Sequence, residues 1–477
     1  MLSYYTAEVI RAAEAPLLAN LPDGVLMRRA ATGLAGAVGV ELRRRTGGVS
    51  GRSVCAVVGS GNNGGDALWA ATLLRRRGAA ASAVLLSPEH THPAALRAFR
   101  QAGGRIVQSP PAATDLVLDG VIGISGKGPL RPAAAEVFAA VAAADIPVVA
   151  VDVPSGIDVH TGEQSGPAVR AALTVTFGGL KPVHALADCG RVDLVGIGLE
   201  LPDSDLVGME AADVRALWPV PGPRDDKYTQ GVVGILAGSA AYPGAAILCS
   251  GAAVAATSGM VRYAGSAAAE VVSHWPEVVA APDAAAAGRV QAWVVGPGLG
   301  TDETAMTALA FALDSELPVI VDADGLTLLA AHPHLVTGRS APTVLTPHAG
   351  EFERFGLGPV GADRVAAARR LADETGAAVL LKGNITVIAD SARSGHRRTY
   401  LNPAGGSWAA TAGSGDVLSG MIGALLAAGL PAAEAAAAAA FVHARAANAS
   451  AADPGPVSVP TSASRILAHI RYAVANL

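Results

Sequence analysis

What most constrains this chain is an alternation, begun twice, of short Val/Leu-rich runs with Ala-rich helical stretches. From Ser53 the runs "SVCAVV", "ASAVLL", "DLVLDGV" and "PVVAVDV" are apolar without alternating, the pattern of strands buried on both faces of a parallel sheet. Helical patterns lie between them, at about residues 66–77, 93–103 and 131–144. Such a βαβ series predicts a doubly wound α/β sheet. Residues 201–228 interrupt it, being rich in Pro and acids and lacking a sustained period. A new strand then opens at residues 232–239, and "AWVVGPG", "PVIVDADG", "TVLTPH" and "AAVLLKGNITVIAD" follow as further strands. With 477 residues the chain can bury two separate cores. The expected division is one α/β domain over residues 1–210, a linker over 211–226 and a second α/β domain over 227–477.

Composition narrows the function classes. Hydrophobic residues at 51% and charged residues at 16% exclude a disordered chain. A net charge of −5 with no long basic stripe argues against nucleic acid as a partner. The two "RRR" runs, at residues 43–45 and 75–77, fall near expected helix ends, where cations suit the dipole. Cys55, Cys189 and Cys249 lack metal-ligand spacing and suit a reducing compartment. No apolar run reaches the length of a membrane span, and residues 432–449 read as a soluble Ala-rich helix carrying Glu434, His443 and Arg445. A cytoplasmic protein acting on small molecules is expected.

In an open α/β sheet, ligands sit beyond the carboxyl ends of the strands. In the first domain those ends read "GSGNNGGD", then "LDGVIGISGKG" with Asp119, then "VDVPSGID" with Asp152 and Ser155. Each sets oxygen-bearing side chains among glycines that let a ligand approach the backbone. A helix expected to begin near Asp66 offers free N–H groups to a phosphate. A dinucleotide-holding dehydrogenase should end its second strand on an acid that takes the ribose. Here Ser87 stands there, so hydride transfer is disfavoured. The bland alternative makes Asp66 an N-cap and Asn62 and Asn63 turn formers.

"GNNGGD", "VDVPSGID" and "VTFGGLKP" together resemble the NAD(P)H-hydrate epimerases over roughly the first two hundred residues. The resemblance implies a Rossmann-like αβα sandwich and a potassium ion held by Asn63, Asp119 and Ser155. It also implies substrate contacts from Asn62, Asn63, Gly64, Gly65 and Asp66, from Gly123, Ile124, Ser125, Gly126, Lys127, Gly128 and Pro129, and from Asp152. Epimerisation needs one acid–base group near the hydroxylated carbon 6. Asp152 is the first candidate and Lys181 the second. Ala67 and Ile122 stand where the family usually has Gly and Phe, changes that leave the polar groups intact.

The second domain carries "TAGSGDVLSG", in which glycines bracket Ser414 and Asp416 sits where a long apolar helix begins. The start of such a helix is an anion hole, and the acid can accept a hydroxyl proton during phosphoryl transfer. A Lys-Gly-x-x-Thr turn in "LLKGNITV" could hold a nucleotide phosphate, and "LTPHAGEFERF" places His348 and Glu351 after a strand. A Walker-type loop is absent. From about Lys227 onward these motifs resemble the ribokinase-like ADP/ATP-dependent NAD(P)H-hydrate dehydratases. That resemblance implies substrate contacts from Ala245, Gly298, His348 and Asp416, with Asp416 catalytic. It implies nucleotide contacts from Lys382, Gly383, Asn384, Ile385 and Thr386, and from Gly406, Ser407, Thr411, Ala412, Gly413, Ser414 and Gly415. Magnesium, ADP or ATP as cosubstrate, and a homo-oligomer are the accompanying expectations. Two rival readings are a vitamin-precursor kinase with a fused binding domain, and a working dehydratase whose first domain is a non-catalytic sensor.

Overall fold

Alternate residues of the strand Ser53–Val58 face two different cores. Val54, Ala56 and Val58 pack with Leu34, Val38 and Leu68, while Cys55 and Val57 pack with Phe138 and Val141. A strand so covered must lie inside an αβα sandwich, which is why its sequence is apolar throughout. The computed structural model describes residues 1–257, 259–395 and 397–477. It divides the chain into Ser3–Ser204, and Asp205–Leu477 with Met1–Leu2.

The first unit holds a seven-stranded sheet in the order Arg105–Val107, Ala80–Leu85, Ser53–Val58, Leu116–Gly120, Val148–Val151, Leu173–Phe177 and Arg191–Val195. Every pair is parallel. Strand order reverses at Ser53–Val58, which opens a crevice between its end and that of Leu116–Gly120. Helices Val25–Thr46 and Asn62–Arg76 cover one face and Pro132–Ala143 the other. The basic run 43–45 does close a helix, and there Arg44 and Arg45 pair with the buried Glu41, whose carboxyl is held at about 2.

The second unit's sheet has eleven strands. Its parallel part runs in the order Ala378–Leu381, Thr343–Leu345, Val319–Val321, Ala292–Val295, Val232–Leu236, Met260–Ala264 and Val279–Ala281. The stretch expected as one strand in "AAVLLKGNITVIAD" is instead an antiparallel hairpin, Ala378–Leu381 with Ile385–Ala389, turning at Lys382, Gly383 and Asn384. The junction also lies earlier than the expected linker. Leu206–Gly208 is a strand beside Thr399–Pro403, and Ala211–Leu217 is a helix whose Val214 is buried in the second core with Val207 and Trp218. Apolar residues only three or four apart in a short helix are hidden by the surrounding Pro and acids.

Ala-rich helices make this core dense despite few aromatics. Ala435–Ala440 of helix Ala432–Ala452 are all buried, so most of that helix is interior rather than solvated surface. Helix Ser414–Ala427 approaches helix Pro243–Ala256 so closely that a Cβ on Gly420 would run into the carbonyl oxygen of Cys249. Among the described residues, no helix is long and apolar enough to cross a membrane. Gly420→Ala is expected to cost about 1–3 kcal/mol through overpacking, read as a lower thermal midpoint for the second unit. An unchanged midpoint would mean that the two helices separate freely.

Candidate active sites

In the first unit the helix after Ser53–Val58 begins at Asn62, not near Asp66. Gly61 is its N-cap, so Asp66 lies past the first turn and caps nothing, and Asn62 and Asn63 are helical rather than turn residues. That placement turns the motif toward the strand ends. Residues 123–129 form the loop after Leu116–Gly120, with Gly126 N–H donating to Gly123 O at 2.8 Å. A Cβ on Gly123 would stand 2.8 Å from Asn63 Oδ1 and 3.3 Å from Asp152 Oδ2. Asn63, Gly123 and Asp152 therefore meet at one point.

Asp119 is fully buried. Its carboxylate accepts from Ser155 N–H (2.8 Å), Ser155 Oγ (2.8 Å) and Val121 N–H (3.2 Å), while Ile122 N–H donates to Ser155 Oγ at 3.0 Å. Burial pushes the Asp119 carboxyl up to about 6 against those hydrogen bonds. Beside this cluster Asn63 Nδ2 is buried without a hydrogen-bond partner.

Asp152 ends its strand with φ of +71°, a left-handed conformation that costs a non-glycine residue about 1–3 kcal/mol. Its N–H donates to Val175 O (2.8 Å), and His184 Nε2 holds its carbonyl at 2.9 Å. His184 Nδ1 accepts from Lys181 N–H at 2.9 Å, which makes Nε2 the protonated nitrogen. Burial and then the Lys181 charge lower His184 to about 4, so the ring is neutral. Lys181 Nζ donates to Asp152 Oδ1 (2.5 Å), Thr176 Oγ1 (2.8 Å) and Phe177 O (3.2 Å). Those bonds use every ammonium proton, and Lys181 is itself 1% exposed. Burial opposes ionisation of Asp152, but Lys181 and Thr176 outweigh it and hold the carboxyl below the usual carboxylate range.

In the second unit the strand ends gather their own set. A Cβ on Gly298 would lie 2.7 Å from that of Ala245, so these two are neighbours. His348 caps the short helix Ala349–Glu353, with Nδ1 accepting from Gly350 N–H (3.0 Å) and Glu351 N–H (3.3 Å). Asp322, at the end of Val319–Val321, is buried and bonds Lys382 Nζ (2.8 Å) and Ser419 Oγ (2.7 Å). Glu351 stands 3.6 Å from the same Lys382 Nζ. Asp416 lies in the first turn of Ser414–Ala427. Burial first and the Asp322 charge second raise it to about 7.

A cavity of about 460 Å³ adjoins this cluster, bordered by His348, Lys382, Gly383, Asn384, Thr386, Gly406, Ser407, Ser414 and Gly415. Ile385, Thr411, Ala412 and Gly413 do not border it; Gly413 is the N-cap and has no side chain to satisfy the first-turn N–H groups. The cavity wall adds Asn402 and His443, which no motif indicated. His443 is buried, shares a 3.1 Å hydrogen bond with Ser414 Oγ, and is lowered to about 4 by burial. A larger cavity of about 810 Å³ lies at the opposite ends of the strands, at Thr343 and Ala378, and contains no motif residue.

Sequence reasoning passed over Asp322, although the rule applied to Asp119 and Asp152, an acid where a strand ends, would have found it. Nothing in the sequence marked Arg11, which reaches Ser125 Oγ at 2.9 Å, or Glu14 on the same helix Ala7–Asn20.

Two α/β units, one with a buried carboxylate–lysine centre and one with a carboxylate at an open helix start, define a two-site enzyme of small molecules. Residues 233–469 match the family model described as NAD(P)H-hydrate dehydratase, and residues 23–183 that of the YjeF-related protein N-terminus. The chain is 74% identical over 477 residues to the bifunctional NAD(P)H-hydrate repair enzyme of Mycobacterium tuberculosis, covering 100% of both chains. It belongs to the family of bifunctional NAD(P)H-hydrate repair enzymes. A ribokinase-like superfamily protein of Enterococcus faecalis, 22% identical, matches 58% of this chain and 98% of its own with a TM-score of 0.51, which shows the second unit's fold. The ADP/ATP-dependent NAD(P)H-hydrate dehydratase of Bacillus subtilis, crystallised with ATP and Mg2+, is 27% identical over 56% of this chain and 98% of its own, with a TM-score of 0.48.

Lys181→Met would leave the Asp152 carboxylate buried and unpaired, at an expected cost of about 3–5 kcal/mol. Denaturant unfolding of the full chain measures it, and a loss under about 1 kcal/mol would deny the pair its structural role.

Proposed function

We propose that the first unit interconverts the R and S hydrates of NADH and NADPH. The second unit dehydrates the S epimer with ADP or ATP, by phosphorylation and loss of phosphate. The observation that carries the second half is Asp416, raised to about 7 in the first turn of a helix whose Ser414 and Gly415 border a nucleotide-sized cavity, although Asp416 itself does not border it. A carboxyl near neutrality is a competent base for the substrate hydroxyl. The hydroxyl oxygen attacks the terminal phosphoryl group as its proton passes to Asp416. Phosphate then leaves carbon 6, with the ring nitrogen's lone pair assisting and a ring proton lost, and the dihydronicotinamide is restored. The open start of Ser414–Ala427 and Lys382 face the nucleotide phosphates. Magnesium, brought in with those phosphates, would neutralise part of their charge. Asp322 and Glu351 hold Lys382 in place. Ala245, Gly298 and His348 are assigned to the hydrated ring.

In the first unit Asp152 is the carboxylate that faces carbon 6, and Lys181 keeps it ionised rather than touching substrate. Residues 62–66 and 123–129 are assigned to substrate, with Lys127 and Ser125 on the exposed part of the loop. Potassium fits Asn63, Asp119 and Ser155 because each offers an oxygen donor and the Asp119 carboxylate is buried with no cationic side chain paired to it among the described residues. When bound it supplies a fixed positive charge under the loop. Domain limits at Ser204/Asp205, a cytoplasmic setting and a homo-oligomer complete the reading.

The test is an absorbance assay on both NADH-hydrate epimers with magnesium, potassium and either nucleotide. Complete rapid recovery of NADH is expected, and recovery of the S fraction alone would reduce the first unit to a silent domain. The S-phase rate should fall as pH drops below about 7, where Asp416 gains its proton, and Asp416→Asn should lower it at least 1,000-fold, about 4 kcal/mol. Exchanging potassium for tetramethylammonium should lower the first unit's thermal midpoint, and Asp119→Asn should abolish that response. A midpoint indifferent to potassium would remove the ion from this site.

A further inference from the structure

One buried carboxyl in the first unit is assigned to substrate but given no step in this chemistry. Asp66 is only 9% exposed, and its Oδ1 is buried without any hydrogen-bond partner. It sits on the motif helix Asn62–Arg76, three residues past Asn63. Two further carboxylates act on it through their charge, Asp152 from the strand end and half-buried Glu14 from the N-terminal helix Ala7–Asn20. The remaining charged or titratable groups around the cluster are accounted for. Lys181 is spent on Asp152, His184 is neutral, Arg11 reaches Ser125, and His92 caps its own helix by accepting from Ala95 N–H at 3.3 Å.

A lone buried oxygen among anions, with no donor of its own, is satisfied by carrying a proton and giving it to a ligand. We propose that Asp66 is a catalytic residue of the epimerisation, the proton donor to the carbon 6 hydroxyl, working against the ionised Asp152. This rests on the epimerase reading of the first unit. The step balances as follows. The Asp66 proton passes to the hydroxyl oxygen as the carbon–oxygen bond breaks, the ring nitrogen's lone pair forms the nitrogen–carbon double bond, and water departs. The Asp152 carboxylate faces the resulting cation. Water then adds to the other face, the double-bond pair returns to nitrogen, and the added water's surplus proton restores Asp66. Burial, then the charges of Asp152 and Glu14, raise Asp66 well above the usual carboxylate range, which favours the protonated form that the step needs.

The experiment follows the R phase of the hydrate assay, above its spontaneous rate, in the full chain. The S phase, run by the second unit, counts folded enzyme. If the wild-type chain shows no R phase above background, the epimerase reading fails. With wild-type activity present, Asp66→Asn is expected to lower kcat for the R phase at least 100-fold with KM changed less than threefold. A kcat within threefold of wild type, or a loss carried by KM alone, overturns the proposal. Glu14→Gln gives a second reading that leaves Asp66 in place. Removing that negative charge eases ionisation of Asp66, so the alkaline limb of the R-phase pH profile should move to lower pH. A limb that does not move also overturns it.

Discussion

Parallel pairing is the constraint on which both units depend. A parallel strand cannot be joined to its neighbour by a tight turn, so each connection is a long crossover, most often through a helix, and the parallel strands end at the same edge. The strand ends and the segments after them, which carry Asn63, Asp119, Asp152 and Lys181, are thereby gathered without any direct sequence proximity. The same holds for Ala245, Gly298, Asp322, His348 and Lys382 in the second unit. Helix starts face that edge as well, which brings the Asn62–Arg76 motif to one sheet and Ser414–Ala427 to the other.

Because the crossovers repeat a strong period, the α/β class and most strands were legible in sequence. Ser53–Val58 was read to the residue, since a strand covered on both faces has no polar position to blur it. Where neighbours decide the outcome, legibility ended. "AAVLLKGNITVIAD" is apolar on both sides of Lys382, and only the turn geometry reveals a hairpin there. The helix 211–217 has one buried side chain, too little for a pattern. Asp66 looked like a cap because Asn and Gly favour turns, yet tertiary packing extends the helix back to Asn62.

Site residues divide in the same way. Motif residues sit at strand ends or helix starts and announce themselves by polarity among glycines. His184 and His443 act on a motif residue from outside the motif, one on the Asp152 carbonyl and the other on Ser414 Oγ, and carry no signal of their own. Glu14 and Arg11 belong to a helix that precedes the residues 23–183 matched by the family model, so their place in the site comes from the fold alone.

The two units, with no sequence repeat between them, arrive at the same electrostatic arrangement. In each, one aspartate at a strand end is buried against a lysine, Asp152 with Lys181 and Asp322 with Lys382. The lysine holds that carboxyl ionised despite its burial. A second aspartate on a nearby helix, Asp66 or Asp416, has no lysine of its own and is pushed upward, first by burial and then by that fixed negative charge. A single buried cation thus sets two carboxyls apart in proton affinity. The division of roles depends on the lysine being too well satisfied to move: were it free to swing between the two acids, both would titrate together and neither would be a dependable donor or acceptor. Three protein oxygens around Lys181, and Asp322 with Glu351 around Lys382, remove that freedom. The polar neighbours of each lysine therefore matter to the chemistry without touching the substrate.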